Sequence, residues 1–174
     1  VCTDESSKCR AMASELIKDI FNKLGRDKLA TIEDYMTAWM SQTDNKLLLR
    51  CGLPVYKIYL ETIGRGFNKR LDEIVMRKIR EIIKSQEDGN WELIFVSLNV
   101  FISIKEGDDN DNDNDIDNEI WNSVISLLLY PHSWVRLAAS QAIEYLLKQI
   151  ENIKDEYQLQ TIGYRLIRSL GAPS

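Results

Sequence analysis

Cysteine and histidine are too few in this chain to favour a metal centre or a catalytic triad. The 3 cysteines, Cys2, Cys9 and Cys51, are odd in number and lack the CxxC spacing of zinc sites, which argues against a disulfide framework and a structural metal. They are typical of a reducing compartment, cytosol or nucleus, and we expect Cys9 and Cys51 to pack as small apolar side chains. The single His132 has no identifiable nucleophile or orienting carboxylate, so the sequence predicts no enzyme.

Glycine, proline and long apolar runs are scarce as well. With 8 glycines and 3 prolines in 174 residues, the composition favours long helices over turn-rich β structure. No run of about 18 uncharged apolar residues is present, so we expect no membrane span, and no secretory signal is recognisable. Gly64-Arg65-Gly66 lacks the preceding strand and the lysine of a phosphate-binding loop. A start at Val1 and a stop at Pro173-Ser174, directly after a helical pattern, lead us to expect a piece of a longer protein.

Acidic charge is concentrated in one segment. From Glu87 to Glu119 there are eleven acidic residues and one lysine, a local balance of −10, whereas the whole chain carries −5 and its remainder therefore +5. The stretch 107–118 is almost purely Asp and Asn and cannot offset the entropy lost on ordering, so we predict a disordered acidic loop inserted between helices. It does not fit a calcium loop, because Asp113 stands where a sharp turn requires glycine, and no metal site is predicted.

Apolar residues recur every three or four positions almost throughout, which predicts an all-α chain of about nine helices in about four paired layers. Gly25 is expected to cap the first helix and Gly64 the third, which should kink at Pro54. Residues 91–104 are rich in β-branched and aromatic side chains, but their length and lack of strict alternation favour a buried helix. In the first helix we expect one buried stripe: Cys9, Met12, Ala13, Leu16, Ile17, Ile20, Phe21 and Leu24.

A motif of an apolar residue, an arginine and small residues recurs along the chain. It occurs at Cys9-Arg10, Leu49-Arg50 and Val135-Arg136, 40 and then 86 residues apart, and the second interval is about twice the roughly 40 to 47 residues of a HEAT or armadillo repeat. The pattern predicts stacked helix pairs, an α-solenoid that works through an extended surface. We expect the arginine stems to pack between layers and the guanidinium groups to hydrogen-bond helix ends or a neighbouring carboxylate. The predicted structural repeat positions are Arg10, Arg50, Arg136, Trp134, Ala138 and Ala139.

Basic residues crowd one face of the fourth helix, with one more at its entrance. This face is the best functional candidate in the sequence, as a contact with RNA phosphates or with an acidic partner segment. The alternative is a solvated face, partly neutralised by Asp72, Glu73 and Glu81. The candidate contact residues are Arg65, Lys69, Arg70, Arg77, Lys78, Arg80 and Lys84.

Three segments together resemble one family. They are Gly25-Arg26-Asp27-Lys28-Leu29 with Tyr35-Met36-Thr37-Ala38-Trp39, the block 47–64, and His132-Ser133-Trp134-Val135-Arg136-Leu137-Ala138-Ala139-Ser140. They are similar to the family of the large HEAT-repeat scaffold that accompanies the U3 small nucleolar RNA in the small-subunit processome. The resemblance implies a very long nucleolar protein that is needed for early cleavage and assembly of the small-subunit ribosomal RNA, and it implies no catalytic residues.

We therefore expect residues 1–174 to be a single HEAT-repeat segment of a non-catalytic scaffold in ribosome biogenesis. The resemblance implies as partners the preribosomal proteins of the small-subunit processome and, among RNAs, pre-rRNA or the U3 small nucleolar RNA, in the nucleolus. No cofactor, membrane or small-molecule substrate is expected. The alternative is a generic HEAT-repeat adaptor, such as a nuclear transport or phosphatase-scaffold subunit, whose binding of protein partners would depend much less on salt than RNA binding does.

Overall fold

All regular structure in the computed structural model is helical over the residues that it describes, 7–42, 45–64, 68–86, 89–106 and 118–150, with five more helical residues between 160 and 168. The all-α class with helices packed in layers, as in an α-solenoid, is confirmed. Seven α-helices have complete bounds, fewer than the nine expected, and the helix expected at 157–170 falls mostly outside the described residues. The elements are α1 (Ser7–Lys23), α2 (Arg26–Gln42), α3 (Lys46–Ile63), α4 (Lys69–Ser85), α5 (Trp91–Glu106), α6 (Asn118–Ser126), a 3-10 helix (Leu127–Leu129) and α7 (Ser133–Ile150).

Local sequence signals explain both ends of α3. The side chain of Asn45 accepts hydrogen bonds from the backbone N–H groups of Leu47, at 2.9 Å, and Leu48, at 3.4 Å, as an N-cap does. At the other end Gly64 has φ +95° and donates its N–H to the Leu60 carbonyl at 3.0 Å. Glycine adopts this backbone conformation without steric cost, so the predicted end of α3 at Gly64 is confirmed. Pro54 lies inside α3, and the kink expected there stays a prediction.

Gly25 has a different role from the one predicted. α1 ends at Lys23, two residues before Gly25, but the φ of Gly25 is not positive, so it does not cap α1 in the left-handed conformation common for glycine there. Instead its carbonyl accepts hydrogen bonds from the N–H groups of Lys28, at 3.1 Å, and Leu29, at 3.0 Å, and thereby begins α2. Only Leu24 and Gly25 separate the two helices, so Gly25, the residue directly before α2, supplies the first carbonyl of α2.

The segment with strand-like composition is a helix, as expected. Leu93, Ile94, Leu98, Phe101 and Ile104 are buried on one side of α5, and the described residues on its other side are half-buried rather than exposed. Because no described side of α5 is fully open to solvent, the segment needs no polar side in the sequence. The acidic loop predicted at 107–118 lies outside the described residues except for Asn118, which is the first residue of α6.

The chain divides into two compact units. Unit 1 comprises Val1–Ile79 and Ser103–Asp109, and unit 2 comprises Arg80–Ile102 and Asn110–Ser174. In unit 1, α1 and α2 both pack on α3. The ring of Phe21 in α1 meets Tyr59 of α3 edge to face, with centroids 5.8 Å apart, and Tyr56 stacks on Tyr59 at 6.1 Å.

Two buried carboxylates accept hydrogen bonds that link helices of unit 1 to one another. The hydroxyl of Tyr59 donates to Glu33 of α2, and the hydroxyl of Tyr56 donates to Asp72 of α4 at 2.6 Å. Glu33 and Asp72 are only 7% and 8% exposed. A buried polar group is tolerated when it is hydrogen-bonded, so the two tyrosines of α3 determine where the polar positions of α2 and α4 can dock.

The apolar stripe predicted for α1 is only half buried. Ala13 and Phe21 belong to the core, whereas Met12, Leu16 and Ile20 are exposed. Cys9 is also exposed and Cys51 half-buried, so the expectation that Cys9 packs inside is wrong. The apolar period correctly predicted a helix, but in the described structure the packing of α1 on α3 covers only one side of the apolar stripe.

Unit 2 is held by aromatic contacts. Phe101 of α5 meets Trp121 of α6 edge to face at 5.4 Å. At the start of α7 the imidazole of His132 stacks on Trp91, with centroids 3.7 Å apart and planes 8° from parallel, and Trp134 meets the ring of Phe95 edge to face at 5.9 Å.

A buried hydroxyl in α5 gives a test of the packing of unit 2. Ser97 is fully buried and has no hydrogen-bond partner among the described residues. Because an unsatisfied buried hydroxyl is costly, Ser97→Ala is expected to leave the free energy of unfolding unchanged or to raise it by up to about 1 kcal/mol. Urea denaturation followed by circular dichroism measures the change. Ser85→Ala, at an exposed serine, is the control and should shift it by less than about 0.5 kcal/mol. A clear loss of stability in Ser97→Ala would show that the hydroxyl is satisfied.

Candidate nucleic-acid interface

α4 is amphipathic, and its burial follows directly from its sequence. Leu71, Val75, Ile79 and Ile83 recur at intervals of four residues and are all fully buried. This spacing places them on one side of the helix, so most of the basic residues between them are directed to the other side, whereas Asp72 is buried beside Tyr56. Of the predicted contact residues, those exposed are Lys69, Arg70, Arg77, Arg80 and Lys84, while Lys78 is half-buried and Arg65 lies outside the described residues.

The first half of α4 borders a cleft in unit 1. The cleft has a volume of about 460 Å³ and is lined by Ser41 of α2 and by Arg70, Glu73, Ile74 and Arg77 of α4. Arg70 and Arg77 are seven residues apart, about 10 Å along the helix axis. The hydroxyl of Ser41 donates to the Thr37 carbonyl at 2.7 Å, so the donors that remain for a ligand are the guanidinium groups.

The two arginines of this cleft have no ion-pair partner in the part of the chain that the structure describes. Among the described residues, Lys69, Arg70 and Arg77 make no ion pair or hydrogen bond through their side chains, and neither does Glu73. Two arginines and one glutamate give the cleft a net charge of +1. An arginine without a carboxylate partner keeps all its donors for an anion, and its planar fork fits the oxygens of a phosphate.

The last part of α4, which belongs to unit 2, does contain a basic residue with a carboxylate partner. Lys84 Nζ lies 2.6 Å from Glu119 Oε2 of α6, and Gln86 Nε2 donates to the Ser123 carbonyl at 3.0 Å and to the Ser126 hydroxyl. Sequence reasoning assigned Lys84 to the same face as Arg70. Its partner is 35 residues further along the chain, so no local pattern could have indicated the pairing.

The recurrent arginine positions have unequal surroundings. The Nη1 group of Arg136 donates to the carbonyls of Tyr130, at 2.8 Å, and Pro131, at 2.6 Å, in the turn before α7. Arg50 is half-buried, and the side chain of Arg10 lies outside the described residues. Ala138 and Ala139 are fully buried, whereas Trp134 is exposed by 54% despite its contact with Phe95.

His132 has structural contacts in this turn. Besides its stack on Trp91, its Nδ1 accepts a hydrogen bond from the Trp134 N–H at 3.4 Å. Over the part of the chain that the structure describes, no group of three His, Cys, Asp or Glu side chains is placed to hold a metal ion. None of the described helices is long and apolar enough to cross a membrane.

Fold and site together define an all-α protein of packed helices whose candidate site is a basic surface cleft. The chain is 36% identical, over 177 aligned residues and 98% of its length, to U3 small nucleolar RNA-associated protein 20 of Saccharomyces cerevisiae. It is 25% identical over 81% of its length to the protein of the same name from Schizosaccharomyces pombe. The chain belongs to the U3 small nucleolar RNA-associated protein 20 family.

The match covers nearly all of this chain but little of its relatives. The chain spans 7% of the length of the budding-yeast protein and 6% of the fission-yeast protein. It therefore corresponds to a small part of these much longer polypeptides. No family model matches the chain.

Proposed function

We propose that this chain is a non-catalytic scaffold segment that acts in ribosome biogenesis, in assembly of the small-subunit processome and maturation of the small-subunit rRNA. The observation that carries the proposal is the similarity along 98% of the chain to a protein whose name associates it with the U3 small nucleolar RNA. The site of action is then the nucleolus, and the partners are preribosomal proteins together with pre-rRNA or the U3 RNA.

The packing of unit 1 supports a scaffold that works through its surface. Its helices bury their apolar residues against one another, and the cleft beside α4 is lined mainly by charged side chains. Cofactor and small-molecule pockets are usually lined by apolar and aromatic residues. A charged cleft of this kind suits a polyelectrolyte better than a small organic substrate.

The proposed RNA contact is at Arg70 and Arg77. Each guanidinium donates up to two parallel hydrogen bonds to phosphate oxygens, and hydrogen bonds between two charged groups are stronger than neutral ones. Phosphates carry no sequence information, so this contact would position an RNA strand without reading its bases. Glu73 between the two arginines limits the affinity, which is appropriate for one of many weak contacts in a large assembly.

Purification of the full-length protein from cells, with identification of the bound RNA and proteins, tests the assigned process. We expect small-subunit rRNA precursors, the U3 RNA and preribosomal proteins to be recovered together. Recovery of nuclear transport factors or phosphatase subunits without ribosomal precursors would instead indicate the generic HEAT-repeat adaptor.

Substitution of the two cleft arginines tests the RNA contact. Arg70→Gln with Arg77→Gln is expected to weaken binding of a single-stranded RNA about tenfold or more and to reduce the slope of log K against log salt by about 1.4, since two phosphate contacts are lost. Fluorescence anisotropy at several salt concentrations measures both quantities.

The matched control has the same change of net charge elsewhere. Lys18→Gln with Lys28→Gln replaces two exposed lysines of α1 and α2 and should change the affinity by less than about threefold. Equal losses in the two double variants would show that the chain binds RNA only through its overall charge, and would contradict the assignment of the cleft.

A further inference from the structure

The outer side of α1 is an apolar strip without a cover among the described residues. Met12, Leu16 and Ile20 are exposed by 64%, 61% and 43%. Their spacing of four residues aligns them along one side of the helix over about two turns. Ala13 and Phe21 occupy the adjacent side and face the core of unit 1.

Charged residues define where the strip ends. Glu15, Lys18 and Asp19 are exposed and lie on the remaining side of α1, directed to solvent. The helix thus has three sides: one packed on α3, one polar, and one apolar that no other described element covers. A contiguous apolar patch rimmed by polar residues on a soluble protein marks a contact surface. A row of side chains at intervals of four residues is the ridge that fits the groove of another helix.

We propose that in the full-length protein the outer strip of α1, formed by Met12, Leu16 and Ile20, is covered by an amphipathic helix of the same polypeptide from outside these 174 residues. The budding-yeast relative has 93% of its length outside the part that this chain matches, so such helices are available in a protein of this family. A segment of the same polypeptide is present at high effective concentration, which favours it over a second copy of the chain. In stacked helix pairs each layer buries the apolar side of the next.

Cys9 provides a native probe for this interface. It is exposed in α1, and it lies one turn before Met12 on the side of the strip. Its rate of alkylation by a maleimide, measured by peptide mass spectrometry in dilute solution, is compared between the 174-residue chain and the full-length protein. We expect alkylation to be about tenfold or more slower in the full-length protein, because thiol reactivity follows access.

Two substitutions in the full-length protein make the test specific. Leu16→Lys places a charge in the strip and should restore fast alkylation of Cys9, whereas Glu15→Lys on the polar side should leave the protection intact. Both positions are exposed in the 174-residue chain, so both variants of that chain should keep the helical content of the wild type by circular dichroism.

Equal alkylation rates in the two proteins would overturn the proposal. Protection that disappears on dilution, together with a shift from dimer to monomer in sedimentation, would also overturn it, since a second copy would then be the cover. Neither readout involves RNA, so this interface is tested independently of the proposed role in ribosome biogenesis.

Discussion

Gly52→Ala is expected to destabilise unit 1 by about 1 to 3 kcal/mol, although alanine is the better helix former. A Cβ atom at Gly52 of α3 would lie 2.5 Å from Cη2 of Trp39 and 3.1 Å from Cε of Met40, both in α2. The most favourable separation of two non-bonded carbon atoms is about 3.5 Å or more. The indole ring of Trp39 therefore has to move to admit the new Cβ atom. The absent side chain allows α2 to pack closely on α3 at this point.

Urea denaturation of the wild type and the variant measures this effect. The control is Gly25→Ala, because a Cβ at Gly25 meets no atom within 4 Å and its φ is not positive. Before the first residue of a helix, glycine is preferred over alanine, whereas alanine lowers the conformational entropy of the unfolded chain. The two effects oppose one another, so we expect the free energy of unfolding to change by less than about 1 kcal/mol. In a background of Trp39→Ala the penalty of Gly52→Ala should decrease, with a coupling energy of about 0.5 to 3 kcal/mol. Equal effects of both glycine substitutions would show that the close approach of α2 is absent in solution.

Tyr59→Phe is expected to lower the free energy of unfolding by about 1 to 3 kcal/mol at neutral pH. The substitution removes the hydroxyl that donates to Glu33 and leaves this carboxylate buried without that donor. The control is Tyr35→Phe, since Tyr35 is 74% exposed and the loss of its hydroxyl should cost less than about 0.5 kcal/mol.

Alkaline pH separates the contribution of Tyr59 from a general packing effect. Burial, reinforced by the hydrogen bond to Glu33, raises the pKa of Tyr59 above the ordinary value of about 10. Below that pH both the folded and the unfolded chain keep the phenol proton, and the contribution is fully present. Above it the unfolded chain loses the proton first, so stability falls by up to about 1.4 kcal/mol per pH unit until the folded group ionises too.

Tyr59→Phe has no phenol to ionise at this position, so it should lack the part of the stability loss above about pH 10 that is due to Tyr59. The difference in stability between wild type and variant is expected to shrink as the pH rises above about 10, as measured by urea denaturation at a series of pH values. The curve of Tyr35→Phe should run parallel to that of the wild type. A constant difference between wild type and Tyr59→Phe at all pH values would mean that Tyr59 ionises equally in the folded and unfolded chains.

Much of the local structure could be predicted from the sequence because its causes are local. The apolar period of α4, the N-cap at Asn45 and the glycine at position 64 each act within a few residues, and the helices follow from them. Residues 91–104 were correctly predicted as a helix for the same reason. The resemblance to the family was likewise carried by short segments of sequence, and the similarity to the two yeast proteins confirms it.

Tertiary packing decided what each side of a helix contacts. A period of three or four shows which side chains are apolar, yet Leu16 is exposed and Phe21 is buried on the same helix, since burial depends on whether a second element lies there. Charge pairing is equally non-local: Lys84 lies beside Glu119, while Arg70 and Arg77 make no ion pair with another described residue. By itself the sequence determined the helices and the family, because these depend on neighbours along the chain. The cleft at Arg70 and Arg77, the uncovered strip of α1 and the need for glycine at position 52 depend on neighbours in space.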